Sequence, residues 1–252
     1  MRVNSRALIS VAAATALLAA AGYFFYRESQ PIEVTLRFHP FVGTEPLVRN
    51  EPRYANPGGE GRFAVRDFQF FLSNVRLVGS SDVYAEPDSY HLVRFDGGNG
   101  THVITLRDVP RGHYDRIEFG IGVDADANQS IELLGDLDPN SRMAWSWETG
   151  YKFVLLEGTL VLDDERTPIV YHVGFSDNYR PVSTEFDAEV LDSGDPRLDF
   201  RVDLLRIFTG QSTVDMATLS RVVFDPNDAA LLARNYAEMI GPWTDPTTPI
   251  VE

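Results

Sequence analysis

Ile32, Val34, Leu36 and Phe38 alternate with Glu33, Thr35, Arg37 and His39. Successive side chains of a strand point to opposite faces, so this period of two makes one apolar face and one polar face, with His39 on the polar one. The alternation recurs where Leu198, Phe200, Val202 and Leu204 interleave with Asp199, Arg201 and Asp203, and where Ile117, Phe119 and Ile121 interleave with Arg116, Glu118 and Gly120. Such patterns predict half-buried antiparallel strands. Further strands are expected over residues 63–78, 90–95, 102–106, 151–161 and 169–174, and their continuous apolar stretches mark central positions in a sheet. Helix is expected in one place. Asp225 supplies a capping side chain, Pro226 a first helical residue and Asp228 early acidic charge, after which 229–240 runs in helix formers until Gly241 and Pro242. The fold class is therefore all-β: a mainly antiparallel sandwich or flattened barrel with long loops and a C-terminal helix.

Residues 1–30 read as a signal peptide or an N-terminal signal anchor. An apolar run over 7–26 follows Arg2 and Arg6 and precedes Arg27, Glu28 and Ser29. At ~20 residues it is long enough to cross a bilayer as a helix, while Ala19-Ala20-Ala21-Gly22 equally suits a cleavage site, so both forms stay open. Either form sends residues 31–252 across the membrane, into the periplasm or beyond. That remainder is expected to be one β domain, because the Gly- and Pro-bearing stretches at 97–100 and 192–196 have the length of loops and no internal repeat is present.

There is no cysteine, which excludes disulfides, thiolate metal sites, iron–sulfur clusters and cysteine nucleophiles. The net charge is −15 and Lys152 is the only lysine, which argues against nucleic acid or an anionic membrane surface as a partner. Any membrane contact is expected through the N-terminal segment alone. The sequence holds no zinc-protease helix motif, serine nucleophile elbow, phosphate-binding loop or dinucleotide fingerprint, and no enzymatic activity is expected.

The most informative stretch runs over 120–158. Gly122-Val123-Asp124 leads through Asn128 and Gly135-Asp136-Leu137-Asp138-Pro139 to Met143-Ala144-Trp145-Ser146-Trp147, Gly150-Tyr151-Lys152-Phe153 and Glu157-Gly158. Leu72-Ser73-Asn74-Val75 and Tyr90-His91-Leu92-Val93 stand upstream, and His172-Val173-Gly174 downstream. In these motifs and their order the chain resembles the family of methanobactin-associated periplasmic proteins, MbnP and its copper-linked relatives. The resemblance spans essentially the whole exported region. It implies a β-rich periplasmic or surface-exposed copper-binding protein in which a tryptophan can be oxidised to kynurenine by a di-haem partner of the MauG type. In better-known members the oxidised residue and nearby histidines contribute to the copper site.

Taken on their own chemistry, imidazoles suit copper, with thioether as a softer ligand. Of five histidines, His39 and His172 are the favoured ligands and His91 the third, against the plainer reading of each as a hydrogen-bonded structural histidine. His102 and His113 flank a turn and read as surface residues. Met143, Trp145 and Trp147 share one face of an extended segment. They form either an aromatic core layer or an oxidisable stripe, in which Met143 is a copper ligand and Trp147 or Trp145 the modified residue. Asp124, Asp126 and Asn128 are spaced like the opening of a calcium loop, but Gln129 and Gly135 stand where an EF-hand needs glycine and glutamate. A different calcium site would be completed by Glu132, Asp136 or Asp138, against ordinary turn chemistry for the same residues. Two readings of function follow: copper acquisition or handling without catalysis, and a calcium-stabilised cell-surface recognition or structural module.

Overall fold

The computed structural model describes residues 30–95, 100–130, 134–146 and 149–243. The apolar leader, Glu132 and Trp147 lie outside the described residues. In chain order the strands are β1 (Ile32–Val42), β2 (Glu45–Pro46), β3 (Tyr54–Ala55), β4 (Arg62–Val78), β5 (Val83–Ala85), β6 (Tyr90–Arg94), β7 (His102–Val109) and β8 (Arg116–Ile121). There follow β9 (Ala144–Ser146), β10 (Gly150–Leu162), β11 (Glu165–Gly174), β12 (Arg180–Glu185), β13 (Arg197–Asp203), β14 (Arg221–Val222) and β15 (Ile240–Pro242). Strand dominates and helix is scarce, as the period-two pattern requires.

The strands form two sheets. The smaller runs β15-β13-β1-β2, with β7 also on β1. The larger runs β12-β8-β4-β10-β11-β14, with β3, β5 and β6 on β4 and β9 on β10. Between the sheets, β1 contributes Val34, Leu36 and Phe38, all fully buried, and Phe119 of the larger sheet meets Phe200 of the smaller edge-on at 5.8 Å. Phe208, on the short helix Arg206–Thr209, packs against Phe63 and Tyr171.

β4 and β10 are apolar on both faces for a visible reason. Their inner face lines the sandwich core. Their outer face is roofed by the chain between β8 and β10, whose Val123, Leu137 and Met143 pack with Phe71, Leu92, Phe153 and Leu155 into a second, smaller core. Gly150, at φ +84, is required for this return, because a Cβ there would lie 2.4 Å from the Asn128 Oδ1 that accepts the Tyr151 N–H.

Two expectations need correction. β1 and β13 pair in parallel, with His39 beside Arg201 in register, although each also has antiparallel neighbours. A period of two tells which face is buried and is blind to strand direction. The C-terminal helix, Pro226–Tyr236, starts on the expected Asp225 cap but stops before 240. Ile240 instead enters β15 opposite Val202, where burial in the core and ladder hydrogen bonds outweigh its local helical context.

Candidate functional site

Each of the three favoured histidines is held by a carboxylate that lies elsewhere in the sequence or went unassigned. His39 sits on the outer face of β1. The parallel register with β13 brings Asp199 to it, and the imidazole Nε2 and Asp199 Oδ1 lie 2.6 Å apart. A carboxylate only accepts, so Nε2 carries a hydrogen, while Nδ1 lies 3.3 Å from Thr101 Oγ1. Asp199 is itself fixed by Arg197 Nε at 2.9 Å and flanked by Arg37 Nε at 3.7 Å. The indole of Trp243 lies over the imidazole, ring centroids 4.1 Å apart. These groups line a cleft of about 400 Å³ whose walls also include Phe186, Val190 and Pro242.

His172 is set differently. It stands on the outer face of β11, and its Nε2 lies 2.9 Å from Glu157 Oε1 on β10. Glu157 also accepts from Arg66 and Arg142, and Arg142 bonds Asp67 in turn. Burial pushes the Glu157 carboxyl up, but the hydrogen bonds from His172, Arg66 and Arg142 outweigh it and hold it down at about 2. Burial likewise lowers His172, against the pull of Glu157, so a neutral imidazole donates to an ionised carboxylate. Beyond His172 on the same strand, Gly174 lets Trp145 approach the backbone closely: a Cβ there would meet Trp145 Cζ3 at 2.6 Å and the Tyr151 carbonyl oxygen at 2.4 Å. Phe175 and Phe224, both at positive φ, flank the indole at 5.2 and 4.7 Å. The Trp145 Nε1 is buried without a hydrogen-bond partner.

His91 pairs with Glu86 at 2.7 Å, and Ser89 Oγ donates to the same carboxylate oxygen. Met143 is fully buried in the outer core, as the plainer reading of its stripe expects. His113 is exposed as anticipated, whereas His102 is half-buried at the seam between β7 and β6, where its Nδ1 contacts the Arg94 backbone and burial lowers its pKa.

The acidic stretch is occupied by local bonding. Asp124 caps the single-turn helix Ala125–Asn128 and accepts from Tyr90 and Asn74. Asn128 accepts from Tyr151 N and donates to Ser176, Asp136 accepts from Leu92 N, and Asp138 accepts from Asn140 N. Asp126 is exposed. No three of the histidine, aspartate and glutamate side chains among the described residues are gathered in a way that could hold a metal ion. The structure thus does not assemble Asp124, Asp126, Asp136 and Asp138, with Asn128 beside them, into a calcium site: Asp124 caps a helix, Asp138 closes a turn and Asp136 holds the backbone of β6. Nor does it gather His39, His91 and His172.

As donors, the imidazoles still suit copper one by one, because each is oriented by a carboxylate through one nitrogen and has a second nitrogen beyond it. Sequence reasoning missed Asp199, Glu86 and Trp243, which carry no local signal. Glu157 did carry one, as the lone charged residue inside the apolar run 153–160.

No curated protein matches the chain. A solved structure, MbnP from Methylosinus trichosporium, shares its fold: 18% sequence identity, a TM-score of 0.53, and coverage of 84% of this chain and 98% of that one. The MbnP family profile matches residues 31–224, three-quarters of the sequence and nearly all of both sheets. The chain is a member of the MbnP family.

Proposed function

We propose that this protein is exported and handles copper as cargo, without catalysing a reaction, and that His39 is the anchoring ligand. The observation that supports it is the arrangement at His39: an imidazole with one nitrogen committed to Asp199, on the wall of an open cleft. Family membership supplies the choice of copper among metals that take nitrogen donors. Asp199 fixes the tautomer and the ring angle. Arg197 and Arg37 stop Asp199 from turning away. His172 has the same pairing, but its carboxylate is shared with two arginines in a closed network, which suits a structural part.

The test is metal affinity of the exported protein with copper, zinc and calcium in competition, for the native chain and for His39→Ala and His172→Ala. Selective copper binding that is lost in His39→Ala and kept in His172→Ala bears the proposal out. Copper bound no better than zinc, or bound unchanged in His39→Ala, overturns it.

Trp145 is our candidate for oxidation to kynurenine by a di-haem partner of the MauG type. Its support is the clamped, unpartnered indole on the outer face. Intact mass of protein from its native host decides the matter, since the conversion changes the mass by a small fixed amount, and fragmentation separates Trp145 from Trp147. The calcium-stabilised module draws no support from the acidic residues: Asp124 serves a cap, Asp138 a turn and Asp136 the backbone of β6.

A further inference from the structure

The segment that covers His39 is the last one that the structure describes. The profile ends at residue 224. The helix Pro226–Tyr236 and then β15 follow, and β15 adds itself to the edge of β13 through pairs from Val202 with Ile240 to Phe200 with Pro242. The Trp243 N–H donates to the Asp199 carbonyl oxygen at 2.9 Å, so its backbone is tied to the residue whose side chain holds His39. The indole then lies 4.1 Å from the imidazole, tilted by 38°, and 6.0 Å from Phe41.

Three consequences follow from that geometry. One face of the imidazole is shielded, leaving the His39 side chain only 11% exposed even though it lines a cleft. Ring rotation is blocked, because Asp199 holds one edge and the indole one face. An indole face also favours positive charge on the ring beneath it, whether a proton or a bound cation supplies it. We infer that Trp243 is a lid and positioning residue for His39, and that it restricts access to the imidazole while strengthening its hold on a cation. The cation part rests on the copper proposal; the lid part does not.

The experiment uses the intact chain and two variants, Trp243→Ala and Trp243→Phe. In metal-free protein, acylation of histidines by diethyl pyrocarbonate is followed by peptide mass mapping, with exposed His113 as internal reference. Trp243→Ala is expected to speed acylation of His39 about five-fold, the size of an aromatic stacking contribution, while Trp243→Phe stays near the native rate. The backbone bond to Asp199 survives both changes, and a circular dichroism spectrum matching the native one shows that β15 is retained. Equal His39 rates in all three proteins overturn the lid. In a second arm, copper is titrated while indole emission is read. Quenching that vanishes in Trp243→Phe and in His39→Ala, with copper affinity about five-fold lower in Trp243→Ala, supports the cation part. Quenching that persists in Trp243→Phe overturns it. If copper binds none of the proteins, the copper reading fails while the acylation rates still decide the lid.

Discussion

His39 and His172 are the same chemical object in two settings. Each is an imidazole on the outer face of a strand, bonded through Nε2 to a carboxylate. Around His172 the carboxylate is shared by two arginines, one of them on the roof segment, so Glu157 is committed to three donors at once. Around His39 the carboxylate is shared too, but the ring opens on a cleft and carries one aromatic cover. A closed pair ties a roof to a sheet, whereas an open pair sets its imidazole on the wall of a cleft, with its second nitrogen against the Thr101 hydroxyl. Histidine–carboxylate pairing therefore marks a position as ordered; what lies on the other side of the ring decides whether it is available.

The comparison is sharpened first at Glu157, where the largest effect is expected. Glu157→Ala strands Arg66, Arg142 and His172 and should cost about 3 kcal/mol in denaturant unfolding. The pH dependence has the matching sign. A carboxylate depressed from 4.5 to about 2 contributes stability that is complete above 4.5 and is lost as the pH falls towards 2. His172, a base whose pKa burial lowers from 6.5, adds a further loss as the pH drops below 6.5. Melting temperature should thus decline from pH 6.5 downward, and Glu157→Gln should flatten the curve in its acid half. A Glu157→Gln curve parallel to the native one would remove the network from the account of acid stability.

Gly174→Ala comes next. The new Cβ meets an indole and a carbonyl oxygen, so Trp145 must lift from the sheet, at about 2 kcal/mol. Red-shifted tryptophan emission should accompany the loss. Asp199→Asn is smaller in energy but opposite in kind: copper affinity should fall about ten-fold with little change in melting temperature. A large loss of stability with unchanged copper binding would assign His39 the structural part and undo the contrast with His172. His91→Gln is expected to do least, about 0.5 kcal/mol and no change in copper binding, because its pair with Glu86 is partly exposed.

Much of the fold was legible along the chain. The faces of β1, β8 and β13 and the central places of β4 and β10 follow from which positions are apolar, and Asp225-Pro226 marks the helix start where it lies. The candidate site was only half legible. His39 and His172 stood out as imidazoles on polar faces, but Asp199 is 160 residues from His39 and looks like any alternating polar residue. Trp243 carries no local signal of its place beside His39. The acidic motif was ambiguous along the chain, because aspartates spaced to bind a cation are equally spaced to cap a short helix and close turns.

The sequence by itself determined the local questions: the strand faces, the absence of thiol chemistry and the excess of acidic side chains. Each depends on residues within a few positions of one another. Only the tertiary structure decided that β1 lies parallel to β13, that the segment between β8 and β10 folds back as a roof, and which carboxylate each histidine receives. Those outcomes depend on which strand edges meet across more than a hundred residues, and the alternating pattern that makes a strand carries no address for its neighbour.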